Sequence, residues 1–462
     1  MNRSDLHPYQ ARMVDFIKSR PSCALFAEMG TGKTISALTA ISDLIDELEV
    51  RKVLIVAPLQ VARVTWSDEC AKWEHLQHLR VSRVLGDLKK RVAALKADAD
   101  IYVIGRDSFV WLIKYYNSKI PYDMIVLDEL TSFKSNTSQR FKAFRTIRTQ
   151  PDRIIGLTGT PAPNGYLDLW AQIYCLDGGK RLGKFITHYR NMYFSQVMSP
   201  GMKYAIKCTL LPGAKQQIDD KISDISLAMK AEDYLTLPPR QDITKYIELP
   251  ENVMEGYRKF ERDMVMQISD GEVITAANAA ALLGKLLQFS NGAVYNDADA
   301  TDTKEHTYKV VHDEKISALQ EIQEAANSPI LVFYQYLHDL DRIKRAFGKG
   351  VEVRDYTGEK DLRDWNAGKI DVLLAHPASC SYGLNLQEGG HICVWFGTGF
   401  NLETYQQACA RLHRQGQQHR VMNYHLICRG TVDERALLAL SQKADTQQSL
   451  MDAVKQLMEK YL

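Results

Sequence analysis

The chain has 462 residues, 45% of them hydrophobic and 25% charged, the composition of a globular protein with room for two or three domains. No stretch approaches the roughly twenty apolar residues that cross a bilayer, and the opening MNRSDLHPYQ lacks a signal peptide's apolar core, so no membrane partner and a cytoplasmic location are expected. The eight cysteines show no CxxC pair and no zinc spacing, which predicts reduced thiols and no zinc. Net charge is only +2, yet residues 51–200 hold 23 Lys and Arg against 13 acids, while 251–462 hold 23 against 29. A basic first half suits a polyanion track, and a solvated surface equally well.

Residues 1–170 alternate apolar runs with helical stretches. LFAEM, KVLIVAP, IYVIG, MIVLDE and RIIGLTGT read as strands of a parallel sheet with helices on both faces. The first run leads into AEMGTGKT at 27–34. Met29, Gly30, Thr31 and Gly32 form a loop whose glycines let backbone N–H groups approach phosphate oxygens at the mouth of a helix. Lys33 adds a point charge for the outer phosphates, and the Thr34 hydroxyl suits Mg2+. Asp128 and Glu129 follow MIVL directly, where such sheets place their chemistry. Asp128 is expected to hold the metal and Glu129 to orient or deprotonate the attacking water, which makes the chain an ATP hydrolase.

Residues 171–240 lose the strand rhythm and end at LPPR, as a helical insertion would. Residues 241–305 read as a helical linker with a second protrusion. The α/β pattern resumes over 306–440 with PILVFY, VEVRDY, DVLLAH and HICVWF, and 441–462 is one amphipathic helix. QQACARLHRQGQ at 406–417 places Arg411 and Arg414 three apart, on one face of a predicted helix.

LHPYQ near the start, GTGKT, DE, LTGTPAPN at 157–164, ILVFYQY at 330–336, YGLNLQ at 382–387 and the arginine stretch follow one another in a familiar order. The chain resembles superfamily 2 helicase-like ATPases of the Swi/Snf type, in a compact form such as bacteria and their phages carry. The resemblance implies an α/β fold of two RecA-like parallel-sheet lobes with helical insertions between them, and ATP bound between the lobes. It implies that Gln10 reads adenine and that Arg411 and Arg414 are arginine fingers. Gly383 would lie in a lobe-two motif touching nucleotide and track, and Thr158 and Thr160 would pass nucleotide state to the nucleic acid. Lys134, Arg140 and Gln335 are further nucleic-acid candidates. Trp66, Trp73, Trp111 and Trp395 are available to stack on bases, but burial is the commoner fate of such residues.

Three departures bear on coupling more than on hydrolysis. Ala27 stands where the family has an aspartate, Thr131 replaces a histidine, and Cys380 and Ser381 replace glycines. The resulting expectation is an ATP-driven translocase favouring duplex DNA, with a protein partner supplying the target. The alternatives are a strand-separating helicase on single-stranded DNA or RNA, and an ATP-gated clamp with little turnover.

Overall fold

The computed structural model describes residues 1–162, 165–198, 205–230, 233–234, 237–269, 276–296, 307–380, 384–442 and 446–461. They form two compact units, Met1–Thr236 and Leu237–Leu462. The first holds β1 (Ser22–Ala27), β2 (Val53–Ala57), β3 (Val81–Val84), β4 (Ile101–Gly105), β5 (Met124–Asp128) and β6 (Arg153–Thr158). Every residue of β2 and β4 is buried, because helices cover both faces of this sheet.

The stretch expected to be a helical insertion contributes more than helices. An antiparallel hairpin, β7 (Phe194–Met198) with β8 (Ala205–Leu210), precedes the helix Ala214–Ile222. Then β9 (Ser226–Met229) joins the first sheet parallel to β1, giving the order β3-β4-β2-β5-β6-β1-β9 with all pairings parallel. Four residues, SLAM, with only Leu227 and Met229 buried, are too short to announce a strand in the sequence.

In the second unit β10 (Arg240–Ile247) precedes the helices Glu251–Ser269 and Ala276–Ser290. β11 (Ala293–Tyr295) and β12 (Tyr308–Val310) pair antiparallel. β13 (Ile330–Phe333), β14 (Val353–Asp355), β15 (Val372–Ala375), β16 (Ile392–Trp395) and β17 (Val421–Cys428) complete a parallel sheet in the order β10-β17-β16-β13-β15-β14. β10 carries the polar sequence RQDITKYI because it sits at an edge, with a single neighbour. The final helix, Thr446–Tyr461, sends Lys460 and Tyr461 to the buried Glu261 carboxylate, each at 2.6 Å.

Inside this unit Lys315 and Asp433, both fully buried, pair at 2.7 Å. Lys315 Nζ also donates to Asn291 Oδ1 (2.9 Å), and Asn291 Nδ2 donates to Asp339 Oδ2 (2.9 Å). The network ties together the helices Glu314–Ala325, Leu337–Ala346 and Val432–Ser441. The eight cysteines are free thiols, seven of them buried.

Candidate nucleotide site

Register brings the first unit's motifs to one end of the sheet. Phe26 of β1 is level with Thr158 of β6, and Asp128 of β5 is level with Leu157. The phosphate loop, the acid pair and the TGT turn therefore leave the same end of the sheet, its carboxyl end, where ligands of open parallel sheets bind.

Between β1 and the helix Lys33–Asp46, Gly30 (φ 82°) and Gly32 (φ 83°) adopt left-handed backbone, which a Cβ would strain. Thr31 is fully buried and its hydroxyl donates to the Glu28 carbonyl (2.7 Å). Lys33 Nζ donates to the carbonyls of Ala27 (2.6 Å) and Glu28 (3.1 Å). Thr34 follows in the first helical turn, and Met29 is half-buried beside Gly30.

Gln10 reaches this loop. Its Oε1 accepts from the His7 N–H (2.9 Å), its Nε2 donates to the Thr31 carbonyl (3.3 Å), and a Cβ at Gly32 would overlap its amide. The glutamine that the resemblance makes an adenine reader thus also braces the loop from the helix Pro8–Lys18.

Asp128 ends β5 and accepts from the Trp66 indole N–H at Oδ2 (3.0 Å). Burial pushes its carboxyl up to about 6, against the Trp66 hydrogen bond, the Lys33 charge and the Glu129 N–H, all of which favour the carboxylate. Glu129 has φ 58° and ψ 66°, a left-handed conformation uncommon for a residue with a long side chain. Strain of this kind gathers at functional sites. It turns the chain out of β5 into the short turn Leu130–Phe133, with the Ser132 N–H donating to the Glu129 carbonyl (2.8 Å).

Thr158 is fully buried, and its hydroxyl accepts from the Thr160 N–H (3.2 Å). A Cβ on the intervening Gly159 would meet the Ala27 carbonyl oxygen at 3.5 Å and the Met29 nitrogen at 3.6 Å, so the TGT turn touches the base of the phosphate loop. Beyond it the buried Gln172 donates to the carbonyls of Pro161 (2.6 Å) and Asp168 (2.9 Å). Nothing in the sequence marked Gln172 or Trp66 as supports of the site. Their partners are set by tertiary packing.

Lys134 lies 3.9 Å from Asp168, and Arg140 lies 3.9 Å from Asp107. Trp66, Trp73 and Trp395 are buried, and Arg91 covers the Trp111 ring at 4.4 Å.

In the second unit, Gln335 follows β13; its backbone N–H donates to Asp339 Oδ2 (3.2 Å) and its amide lies against Gly399. Gly383 lies outside the described residues. The expectation that Arg411 and Arg414 share a helix face is corrected, because the helix Leu402–Cys409 ends before both and they sit in the turn that follows. The buried Gln417 amide donates there to the carbonyls of Gln387 (3.2 Å), Gly390 (3.1 Å) and Leu412 (3.3 Å). Arg414 donates to the Leu384 carbonyl (3.1 Å) and to Asn385. These side-chain bonds pin a turn whose backbone N–H groups still bond locally, Arg411 to Ala408 (3.0 Å) and Gln417 to Arg414 (3.1 Å). Arg411 is buried.

A phosphate loop, an acid pair and a TGT turn on one parallel sheet, with a second parallel sheet carrying arginines after β16, define a P-loop protein with two sheet units. A family model of the SNF2-related domain matches residues 9–292, and the chain belongs to that family.

The chain is 35% identical to putative protein p41 of Acyrthosiphon pisum secondary endosymbiont phage 1, over 97% of this chain and 98% of that protein. It is 24% identical to an uncharacterized ATP-dependent helicase of Mycoplasma genitalium over 96% of its own length, and spans 42% of that relative. The Sulfolobus solfataricus SWI2/SNF2 ATPase core in complex with dsDNA is similar over 99% of this chain and 96% of that one, at 21% identity and a TM-score of 0.45.

Proposed function

We propose that this protein is an ATP-driven motor that moves along DNA, mainly duplex, hydrolysing ATP at the first unit's loop and acid pair. The observation that carries the reading is the convergence of phosphate loop, Asp128–Glu129 and TGT turn at the carboxyl end of one sheet, in a chain of the SNF2-related family. The relative named as an ATP-dependent helicase supports ATP use.

The Thr34 hydroxyl and Asp128 carboxylate are hard oxygen donors of the kind Mg2+ takes, and they would hold it. Bound there, the ion neutralises charge on the phosphates. Lys33 exchanges its two carbonyl partners for phosphate oxygens, and Glu129 holds the attacking water. Arg411 and Arg414 supply the cationic charge that phosphoryl transfer draws on, with Gly383 and Gln335 in the motifs around them. Thr158 and Thr160 relay nucleotide state through the contact of Gly159 with the loop, and Lys134 and Arg140 meet backbone phosphates rather than base edges. A protein partner supplies the target. Among the described residues no helix is long and apolar enough to cross a membrane, and the phage relative favours work in a host cytoplasm.

Steady-state ATP hydrolysis without polymer, with duplex DNA, with single-stranded DNA and with RNA at matched nucleotide concentration tests this. Stimulation by duplex DNA is expected. Preference for single strands or RNA would replace the translocase with a strand-separating helicase, and no stimulation by any polymer would replace it with a clamp.

A further inference from the structure

We propose that Trp66 is a positioning residue for the metal-binding carboxylate: its indole N–H fixes Oδ2 of Asp128 and leaves Oδ1 to the ion. The inference rests on the assignment of Asp128 to Mg2+ above.

Two features single out Trp66. Its ring is fully buried, and its Nε1 lies 3.0 Å from Asp128 Oδ2, across 62 residues of sequence. The backbone is also adjusted just before it. Residues Val61–Thr65 form a π-helical turn running directly into the helix Trp66–Lys72. An extra residue in a helical turn rotates all that follows by about 100°, since an α-helix has 3.6 residues per turn. The widened turn is held by Arg83, whose guanidinium donates to the Arg63 carbonyl (3.0 Å).

The chemistry suits the task. An indole has one N–H donor and no acceptor, so it occupies one lone pair of the carboxylate and cannot itself ligate the ion. It is neutral, so unlike a lysine or arginine in the same place it does not repel a divalent cation. Its large buried ring fixes the direction of the N–H more firmly than a hydroxyl would. Partners of this kind, one step behind a ligand, typically change metal affinity or activity ten- to a hundredfold when removed.

The test compares the parent with Trp66→Phe and with a variant carrying the benzothiophene analogue of tryptophan at position 66, which keeps the ring outline and replaces the N–H with sulfur. Binding of a fluorescent ATP analogue is titrated with Mg2+ and with EDTA, and the Mg2+ dependence of hydrolysis is measured beside it. The expected result is a Mg2+ half-saturation about ten- to a hundredfold higher, with metal-free nucleotide affinity and melting temperature of the analogue variant unchanged. Parental half-saturation in the analogue variant, or an equal loss of affinity without metal, would overturn the proposal. If the Phe variant does not fold, the analogue decides alone. Asp128→Asn run in parallel tests the underlying assignment: parental Mg2+ dependence in that variant would put the metal elsewhere, whatever Trp66 does.

Discussion

Replacing Lys315 with Met removes the cation from the buried network of the second unit and leaves the Asp433 carboxylate behind. Both side chains are fully buried and 2.7 Å apart. After the change Asp433 Oδ2 keeps the Cys428 N–H at 3.1 Å, and Asn291 Oδ1 loses its donor. Stranding a buried charge costs about 3–5 kcal/mol, and an orphaned amide oxygen roughly 1 more. Against the ~5–15 kcal/mol that holds a typical domain, Lys315→Met should leave the second unit close to unfolding. Two units need not melt together, so the assay is hydrogen exchange of β13, β16 and β17 against β2 and β5, followed through a urea series. Protection should collapse early in the second unit alone. The double variant Lys315→Met/Asp433→Asn should regain at least about half the loss, because no charge is then left without its partner. A single variant destabilised by under about 1 kcal/mol, or a double variant no better than the single, would refute the view that the pair matters through the charge it neutralises.

Glu129→Gln should retain Mg·ATP binding and stop hydrolysis, whereas Lys33→Ala should weaken binding as well; equilibrium titration beside a turnover assay separates them. Arg411→Ala or Arg414→Ala should lower kcat by roughly three to five orders of magnitude while sparing ATP affinity, measured by single-turnover kinetics. Acid should weaken the second unit. Burial depresses His312 and His425 to about 4, so the unfolded chain takes up their protons first as pH falls. Stability that is full above pH 6.5 is therefore lost on the way down to about 4, roughly 2 kcal/mol per histidine by pH 5. Asp128 acts in the opposite sense in the first unit, because its raised pKa favours the folded state as pH falls through about 6. Equal acid sensitivity of the two units in exchange experiments would contradict both assignments. DNA stimulation should fall steeply between about 50 and 200 mM salt, read from the apparent polymer affinity.

The phosphate loop and the strands feeding it were legible because they depend on local chemistry: apolar runs such as VLIVA and IYVIG, and glycines at positions of positive φ. What stayed hidden depends on distant partners. β9 has too few residues to signal itself, and β10 is polar because it is an edge. The spacing of Arg411 and Arg414 promised a helix, but the chain turns there, and Gln417 and Arg414 pin the turn to residues 384–390. The same limit applies to the brace from Gln10 to Thr31 and to the reversed backbone of Glu129. Each is a consequence of packing that no periodicity encodes.

β9 closes the first sheet beside β1, and the Glu28 N–H donates to the Met229 carbonyl at 3.0 Å. The last residue of β9 is thus tied to Glu28, the residue just before the loop Met29–Gly32. Glu28 is also the residue whose carbonyl holds Lys33 Nζ at 3.1 Å. Any change that frays the end of β9 is therefore felt first at Glu28, so the margin of the sheet and the lysine of the loop lean on one stretch of backbone.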